Sequence, residues 1–355
     1  MKNNLIEDPV QLAEPFNVFF KGKIENLASR IKMDPNINPF SHLKEKLLGS
    51  NLKFKLNTVN EKIVLKILKS LKSKRSYGHD GISSEVLKLG AEVLVVPLTY
   101  IINFSILTGK LPTNWKIAKV VPLSKKAEKK LMKNQRPVVL LSVAGMILER
   151  VVALQIEECF EKNKLFPDFQ FGFRKKKNTT SELLTLFYTI FEAKEMKKEI
   201  LVLLYDLSSA FGTVSHNTLL EKVKMYGFCN HSIKWMESYL ENRKQKVEVS
   251  GKISSYQGIN IGTPQGSRFY SLQLLWLTLI HGQKIVSCLI LLMILSDNRK
   301  DLLEKTSKEA NCVINFFKSN NLVNNPDKAA ILFNCKGKGE FITVDNVGGE
   351  KLKST

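Results

Sequence analysis

One carboxylate stands directly after the most regular apolar run in the chain. Residues 199–205 read Glu-Ile-Leu-Val-Leu-Leu-Tyr, which is typical of a strand buried on both faces, and Asp206 follows at once. From position alone this carboxylate has two interpretations. It caps the end of the strand, or it binds a divalent cation that faces a phosphate-bearing substrate.

A second candidate for chemistry is a run of four cations, Arg174, Lys175, Lys176 and Lys177. It closes the stretch 109–177, which holds sixteen lysine and arginine residues against six acidic ones. Such a run is either a solvated face or a surface that contacts nucleic-acid phosphates. The whole chain of 355 residues has a formal net charge of +21. That surplus, spread through the chain, favours nucleic acid over a membrane as the polyanionic partner.

Composition excludes several classes of protein. Hydrophobic residues at 44% and charged residues at 25% are values of a globular chain, not of a disordered or collagen-like one. The five cysteines lie far apart without a Cys-x-x-Cys pair, so we expect a reducing compartment and neither a disulfide framework nor a zinc site. We expect no signal peptide, and the most apolar stretch, 285–295, is too short to cross a bilayer.

Hydrophobic periodicity predicts the elements that must position these residues. Residues 1–58 contain four prolines that interrupt any long helix, and we interpret them as a linker or an extension. Amphipathic spacing predicts helices at 59–74, 84–89, 91–107, 146–161, 180–194, 217–225, 231–240 and 301–319. Strands are predicted at 119–123, 199–205 and 329–333, with a hairpin formed by 245–250 and 255–261.

Seven short motifs follow one another in a specific order and spacing. They are Gly-His-Asp-Gly-Ile at 78–82, Val-Pro-Leu-Ser-Lys-Lys at 121–126, Gln-Arg-Pro-Val-Val-Leu-Leu-Ser at 135–142, Phe-Gly-Phe-Arg at 171–174 with threonines at 179 and 180, Tyr-Asp-Leu-Ser-Ser-Ala-Phe at 205–211, Gly-Thr-Pro-Gln-Gly-Ser at 262–267, and Asn-Pro-Asp-Lys at 325–328. With these motifs the chain, from about 54 to 334, resembles the reverse transcriptase domain of non-LTR retrotransposons, above all the jockey-like elements.

The resemblance implies an α+β fold, a right-handed polymerase with fingers and palm and with most of the thumb missing. The implied organisation is an extension at 1–58, a helical region at 59–108, fingers at 109–199, a palm at 200–345 and a truncated end at 346–355. The implied activity is RNA-templated DNA synthesis with Mg²⁺ and deoxynucleoside triphosphates on an RNA template and a DNA primer. By resemblance the protein is intracellular, in a cytoplasmic ribonucleoprotein and in the nucleus.

The resemblance also assigns roles to single residues. Asp206, with Leu207 beside it, would hold the metal ions that activate the primer 3′-hydroxyl and stabilise the leaving pyrophosphate. Lys125 and Arg136 would clamp the incoming triphosphate.

Three further roles come from the same resemblance. Phe211 matches a steric gate that excludes a ribose 2′-hydroxyl, although an aromatic at this position also suits an ordinary core. Gln265 would lie under the templating base pair. Lys328 matches a candidate proton donor to pyrophosphate, and a solvated surface lysine is its alternative interpretation.

The departures from the family pattern are as informative as the matches. Family members carry a Tyr/Phe-x-Asp-Asp turn after the Pro-Gln-Gly segment, whereas residues 288–295 here contain no acidic residue. Codons for 289–295 can be chosen whose overlapping frame reads Tyr-Ile-Ala-Asp-Asp-Thr, so we hypothesise a frameshift here and a second one at 268–277. Gly212 and Ser215 each replace a usual aspartate. In the family an endonuclease precedes the polymerase and a full thumb follows it, and from the resemblance we expect this chain to lack both.

Three hypotheses remain open at this point. The chain is the fingers and palm of a reverse transcriptase whose own copy is inactive because it lacks the Asp-Asp motif. Alternatively, it is a non-catalytic RNA-binding relic that keeps the basic surface, or the product of a degenerate reading frame that does not fold stably. The RNA-binding relic predicts salt-dependent RNA binding without any primer extension product.

Overall fold

The structure is a computed structural model that describes residues 12–31, 38–124, 131–166, 171, 174, 177–207, 209, 211–264, 284–286, 289–296, 298–320, 322–323 and 330–334. Its helices are α1 (Ala13–Ser29), α2 (Ser41–Lys46), α3 (Glu61–Lys69), α4 (Ser84–Leu89), α5 (Ala91–Thr108), α6 (Val143–Lys162), α7 (Thr179–Glu195), α8 (His216–Met225), α9 (Asn230–Leu240) and α10 (Arg299–Ser319). Its strands are β1 (Ile117–Ser124), β2 (Gln135–Leu140), β3 (Glu199–Asp206), β4 (Arg243–Val249), β5 (Lys252–Ile253), β6 (Gln257–Ile259), β7 (Lys284–Val286), β8 (Leu289–Ser296) and β9 (Ala330–Asn334).

The strands form two sheets. In the first, the order is β2-β1-β4-β5 with β6 also paired to β4, and β1 and β4 run parallel while the other pairs are antiparallel. The second has the order β7-β8-β3-β9 and is antiparallel throughout. Helices and sheets together confirm a mixed α+β architecture.

Most predicted elements are confirmed near their predicted bounds, because caps and periodicity agree there. Helix α4 begins after Ser83, whose hydroxyl accepts from the Val86 amide, and α5 ends at Gly109 with a φ of 68°. Strand β3 covers the predicted run and one residue more. Helix α2 and strand β2 have no counterpart in the predicted elements.

The N-terminal stretch differs from its prediction as a linker without a long helix. Residues 13–29 form the helix α1, and Pro15 falls in its first turn, where a missing backbone N–H breaks no hydrogen bond. Phe16 and Phe20 of α1 pack with Val120 and Val247 on one face of the first sheet. The prolines therefore bound the helix instead of preventing it.

Helix α5 is long and apolar enough to cross a membrane, judged by length and composition alone. Helix α5 is longer than 285–295, the stretch that the sequence analysis took as the most apolar one. Ile102 and Ile106 of this helix are fully buried in the main core, while Val93 and Tyr100 are exposed. Core helices of globular proteins often have the same length and apolar composition, so these two properties of α5 do not indicate a membrane span.

Gly227 ties the segment before α3 to the loop between α8 and α9. Its carbonyl accepts from the Phe54 amide, and the Phe54 carbonyl accepts from the Cys229 amide, both at 2.9 Å. Gly227 has a φ of 72°, and a Cβ there would lie 1.9 Å from the carbonyl oxygen of Leu52. Only glycine fits both the backbone conformation and the space.

We expect Gly227→Ala to lower the free energy of unfolding by about 3 kcal/mol, because strain and a backbone clash coincide. Gly251→Ala is the matched control. Gly251 has a φ of 78° but nothing within 4 Å of its would-be Cβ, so it should lose only about 1 kcal/mol. Urea unfolding of both variants measures the difference. Equal losses would show that the close approach to Leu52 is unimportant.

Candidate functional site

The candidate site begins at the end of β3, where backbone pairing sets the surroundings of Asp206. Strand β3 pairs with β8 on one side and β9 on the other, and helices α7 and α10 contact it. Leu201 and Val202 are almost completely buried. A central strand covered in this way must be apolar between its ends, so its acidic residues stand only at the two ends, Glu199 and Asp206.

The hairpin formed by β7 and β8 places its end beside Asp206. Leu289 is the residue of β8 that pairs with Asp206, and Val286 of β7 pairs with Leu289. The connecting residues 287 and 288, a serine and a cysteine, lie outside the described residues. Neither they nor any residue of β8 is acidic.

This donor set does not fit a divalent-cation pair. Mg²⁺ prefers several oxygen ligands, and the residue opposite Asp206 is a leucine. Leu207, the other predicted metal residue, is 5% exposed and has only its backbone carbonyl to offer. Within the described residues no group of three or more His, Cys, Asp or Glu side chains could hold a metal ion.

The hypothesised overlapping reading frame does not repair this in the observed register. Its two aspartates would fall at 292–294, and Met293 pairs with Val202, four residues before Asp206. The hairpin would have to shift along β3 to carry those aspartates to the end of the strand. Single substitutions in β8 therefore cannot reproduce the family arrangement.

Two of the predicted motifs meet in the turn that follows β3. The Thr263 amide donates to the Phe211 carbonyl at 2.7 Å, and the Gly262 amide donates to the Val214 carbonyl at 2.9 Å. Gly262 has a φ of 80°, and a Cβ there would lie 2.4 Å from the Gly212 oxygen. Half-buried Phe211 is thus joined to the Gly-Thr-Pro segment, while Gln265, the predicted template-contacting residue, lies outside the described residues.

His216 fixes the same turn from helix α8. Its Nε2 lies 2.7 Å from the Gly262 carbonyl oxygen, and Ser215 caps the helix by accepting from the Thr218 amide. Burial is the main cause that lowers the pKa of His216, so the ring is neutral at pH 7. This histidine, which the sequence motifs did not single out, positions the Gly262 turn.

Of the two residues of the predicted triphosphate clamp, only Arg136 is among the described residues. Arg136 lies on β2, is exposed, and pairs with Leu123 of β1. Gln135 and Ser124 hold the ends of these two strands together through their side chains. Lys125 and Lys328 lie outside the described residues, and the roles of all three cations stay predictions.

Two residues of the basic run, Arg174 and Lys177, contact other side chains of the protein. Arg174 forms a fork with Glu161, with Nε–Oε1 at 3.2 Å and Nη2–Oε2 at 2.9 Å, and its guanidinium lies 5.1 Å from the Phe166 ring centre. Lys177 lies 4.7 Å from the ring centre of Phe171. Lys175 and Lys176 are outside the described residues. The nucleic-acid role of the run stays a prediction, and Arg174 also secures the end of α6.

The sequence analysis missed Arg243, the first residue of β4. The residue is 3% exposed, and its guanidinium lies 4.9 Å from the Tyr239 ring centre and donates through Nη1 to the Tyr239 carbonyl at 2.9 Å. In sequence it stands among Asn, Lys and Gln, which is the composition of a solvated strand end. No local signal distinguishes it from its exposed neighbours.

The family described as Reverse transcriptase (RNA-dependent DNA polymerase) matches residues 124–341. Since the match covers more than half of the chain, the chain belongs to the reverse transcriptase family. The matched range contains β3, the turn at Gly262 and the strands that pair with β3, so the site described above is the part of the chain that the family defines.

Within this family, the similar proteins include RNA-directed DNA polymerases of the mobile elements jockey and BS, which confirms the jockey-like resemblance. The chain is 30% identical over 213 residues to the RNA-directed DNA polymerase from mobile element jockey of Drosophila melanogaster, covering 60% of this chain and 23% of that protein. It is 29% identical over 206 residues to the probable RNA-directed DNA polymerase from transposon BS of the same organism, covering 58% and 22%. The chain spans about a fifth of the length of these relatives.

Lys222 of α8 is a buried cation that the candidate site does not use. It is completely buried and donates to the Asn320 side chain just after α10. Desolvation lowers its pKa to about 7. In the unfolded chain a lysine keeps its proton up to about pH 10.4, so the unfolded state binds more protons across the interval between the two values.

We therefore expect stability to rise with pH between about 7 and 9.5, because the folded state need not hold a charged Lys222 there. Lys222→Met keeps the side-chain length and removes the charge. Its thermal midpoint should rise less steeply with pH than that of the parent, while Lys224→Met, an exposed lysine on the same helix, should keep the parent slope. Identical slopes in all three proteins would contradict a neutral buried Lys222.

Proposed function

We propose that this chain is the fingers and palm part of an RNA-directed DNA polymerase from a jockey-like non-LTR element. Its partners would be an RNA template, a DNA primer and deoxynucleoside triphosphates. The first sheet would form the fingers and the second sheet, with α8 and α10, the palm. Strands β4 to β6 come from the segment assigned to the palm yet join the first sheet, so the boundary near 199 separates the two parts in sequence only.

One observation carries the proposal more than any other. A strand whose residues 200–203 and 205 are buried ends at Asp206, a hairpin lies beside that end, and the Phe211 turn is bonded to the Gly262 turn. A phosphoryl-transfer site needs a carboxylate on a rigid strand and a turn that brings backbone near a nucleotide. This arrangement supplies both within the matched family range.

The roles proposed for single residues follow from that arrangement. Asp206 is the carboxylate nearest the reacting phosphates, and Phe211 is the ring against which the sugar of the incoming nucleotide packs. Arg136 on the exposed edge of the first sheet contacts the triphosphate as a fork donor, together with Lys125. Gln265 and Lys328 keep the roles that the family resemblance gives them.

The proposal includes that this copy does not polymerise. The family uses a divalent metal, and the metal chemistry needs carboxylates beside Asp206, where β8 presents Leu289. A second candidate function, binding RNA without catalysis, is favoured by that same leucine together with the net charge of +21. Loss of the carboxylates removes the reaction and leaves the basic surface in place.

Primer extension on an RNA template with Mg²⁺ tests the catalytic part. We expect no product from this chain. A version in which 289–295 is rebuilt as Tyr-Ile-Ala-Asp-Asp-Thr and 268–277 as its family counterpart should extend the primer, because the hairpin can then carry carboxylates to the end of β3. The rebuilt version with Asp206→Asn is the control and should be inactive.

Each of three other outcomes would decide one part of the proposal. Extension by the original chain would show that the account of the metal site is wrong. Failure of both chains, with both still binding RNA, would favour the binding function. A broad, early thermal transition with aggregation in the original chain would favour a product that does not fold stably.

Salt-dependent RNA binding tests the binding part. We expect affinity for single-stranded RNA to fall linearly on a log–log plot against salt concentration, with a slope that shrinks by roughly 0.7 for each phosphate contact removed. The triple variant Lys175→Gln, Lys176→Gln, Lys177→Gln should therefore reduce the slope by about 2. Lys300→Gln, Lys305→Gln, Lys308→Gln removes the same charge from exposed positions on α10 and should leave the slope unchanged. Equal slopes for the two triple variants would show that the lysines at 175–177 do not contact the RNA.

A further inference from the structure

Helix α5 has an apolar outer face that is exposed to solvent. Its inner face packs against α3, α4 and α9. On the outer face Val93 is 79% exposed, Tyr100 71% and Leu107 65%. Residues 93–108 contain no charged side chain, in a chain of which 25% of the residues are charged. A solvated helix face normally carries charges, so we expect another surface to cover this one.

The most exposed side chains of this face form a stripe with palindromic spacing. They are Val93, Val96, Tyr100, Phe104 and Leu107, at intervals of 3, 4, 4 and 3 positions. At 3.6 residues per turn, all five lie within about 40° of Tyr100 around the helix axis. The spacing is the same from either end of the stripe, and Tyr100 stands at its centre.

A two-fold axis at Tyr100 pairs this stripe with its own copy. Two antiparallel α5 helices related by that axis place Val93 opposite Leu107 and Val96 opposite Phe104, and the two Tyr100 rings meet at the centre. In each pair a small side chain faces a large one, which lets the side chains interdigitate between the helices. A parallel pair would instead place Phe104 against Phe104. The stripe is therefore complementary in shape to an antiparallel copy of itself.

The charges at the two ends of the stripe match in the same arrangement. Glu92 lies just before the stripe, is exposed, and contacts Lys69 at 2.6 Å. Lys110 lies just after the stripe and is exposed as well. The axis at Tyr100 places Glu92 of one copy opposite Thr108 of the other, so Lys110 of that other copy comes close to Glu92. Symmetry repeats this contact, and opposite charges meet at both ends of the pair.

The exposed area of the face suits a stable dimer. Leu89, Pro97 and Ile101 are exposed beside the stripe. With them the face presents on the order of 800 Å², whereas the largest apolar patch on a typical monomer is roughly 300–600 Å². A standard protein–protein interface buries about 800 Å² on each partner. The rings of Tyr100 and Phe104, with centres 6.3 Å apart, are stacked and supply aromatic anchors near the centre.

We propose that the outer face of α5 is a homodimer interface, on which a second copy of this chain packs antiparallel about a two-fold axis at Tyr100. The inference goes beyond the proposed function and does not depend on it, because α5 lies outside residues 124–341, the range of the family match. The dimer joins two copies of the end of β3 in one particle.

Sedimentation velocity of the nucleic-acid-free chain over a range of concentrations tests the dimer. We expect the mass of the parent to rise from one chain to two through the micromolar range, the weak end for an interface of this size. Tyr100→Glu places two like charges against each other at the axis, so it should raise the dissociation constant about a hundredfold. Tyr188→Glu is the matched control. Tyr188 is 67% exposed on α7, so its replacement should leave the dissociation constant unchanged.

Disulfide cross-linking tests the register and keeps the test decisive if Tyr100→Glu folds poorly. Tyr100→Cys should cross-link with itself on oxidation, because the axis passes through this position. Val96→Cys and Phe104→Cys should cross-link rapidly when mixed. Each alone should cross-link slowly, since its two copies lie eight residues, or roughly 12 Å, apart along the helices. The parent, in which Cys312 is exposed, measures the background from the native cysteines.

The remaining outcomes overturn the inference. A parent that stays monomeric, with Tyr100→Cys not cross-linking above background, leaves the face to another partner. Equal weakening by Tyr100→Glu and Tyr188→Glu assigns self-association to apolar surface in general. Cross-linking of Val96→Cys alone as fast as in the mixture contradicts the axis. A monomeric parent that floats with neutral phosphatidylcholine vesicles, while Tyr100→Glu does not, assigns the face to a lipid surface. None of these results involves RNA or primer extension, so the proposed function is tested separately.

Discussion

The pairing of β3 with β8 and β9 is the constraint on which the rest of the structure depends. A strand with a neighbour on both edges and helices against it can carry polar side chains only where it ends. That condition fixes Asp206 as the boundary between core and site. The same pairing fixes which residue stands opposite Asp206, and the chain puts a leucine there. One interaction thus explains both why the family site is recognisable and why its metal chemistry is incomplete.

The turns around this strand depend on close backbone contacts more than on side chains. Gly262 lies against Gly212, His216 holds the Gly262 carbonyl, and Thr263 bonds to the Phe211 carbonyl. These contacts join segments about fifty residues apart into one unit behind the end of β3. The three contacts named here do not depend on acidic residues in β8, since each joins residues of 211–216 to residues of 262–263. The absence of acidic residues from β8 and the presence of this backbone unit are therefore physically compatible.

The net charge of +21 overestimates the number of cationic side chains that a polyanion can contact. Lys116, Lys119, Lys222 and Arg243 are all nearly or fully buried. Lys119 is balanced by Glu248 at 3.2 Å and lies 3.8 Å from the Tyr77 ring centre, and Lys222 is held by the Asn320 side chain. Arg243 has no such carboxylate in the described part of the chain, and its buried Nη2 makes no hydrogen bond there. A count of charges cannot separate cations that face solvent from cations that the fold has enclosed.

The sequence alone determined the family, the strand 199–205, the helices α4 and α5 close to their bounds, and the absence of acidic residues in 288–295. These are local properties. Apolar runs, capping residues and motifs each involve a few neighbouring residues, so they can be recognised without knowledge of the fold. Only the tertiary structure decided that α1 packs on the first sheet, that Leu289 and not Met293 stands opposite Asp206, and that Arg243 is buried. Strand register and burial depend on contacts between residues far apart in the chain, and identical local sequence is compatible with several such arrangements. For that reason the sequence could name Asp206 as a site residue, whereas the packing of α1 on the first sheet became visible only when α1, β1 and β4 were brought together.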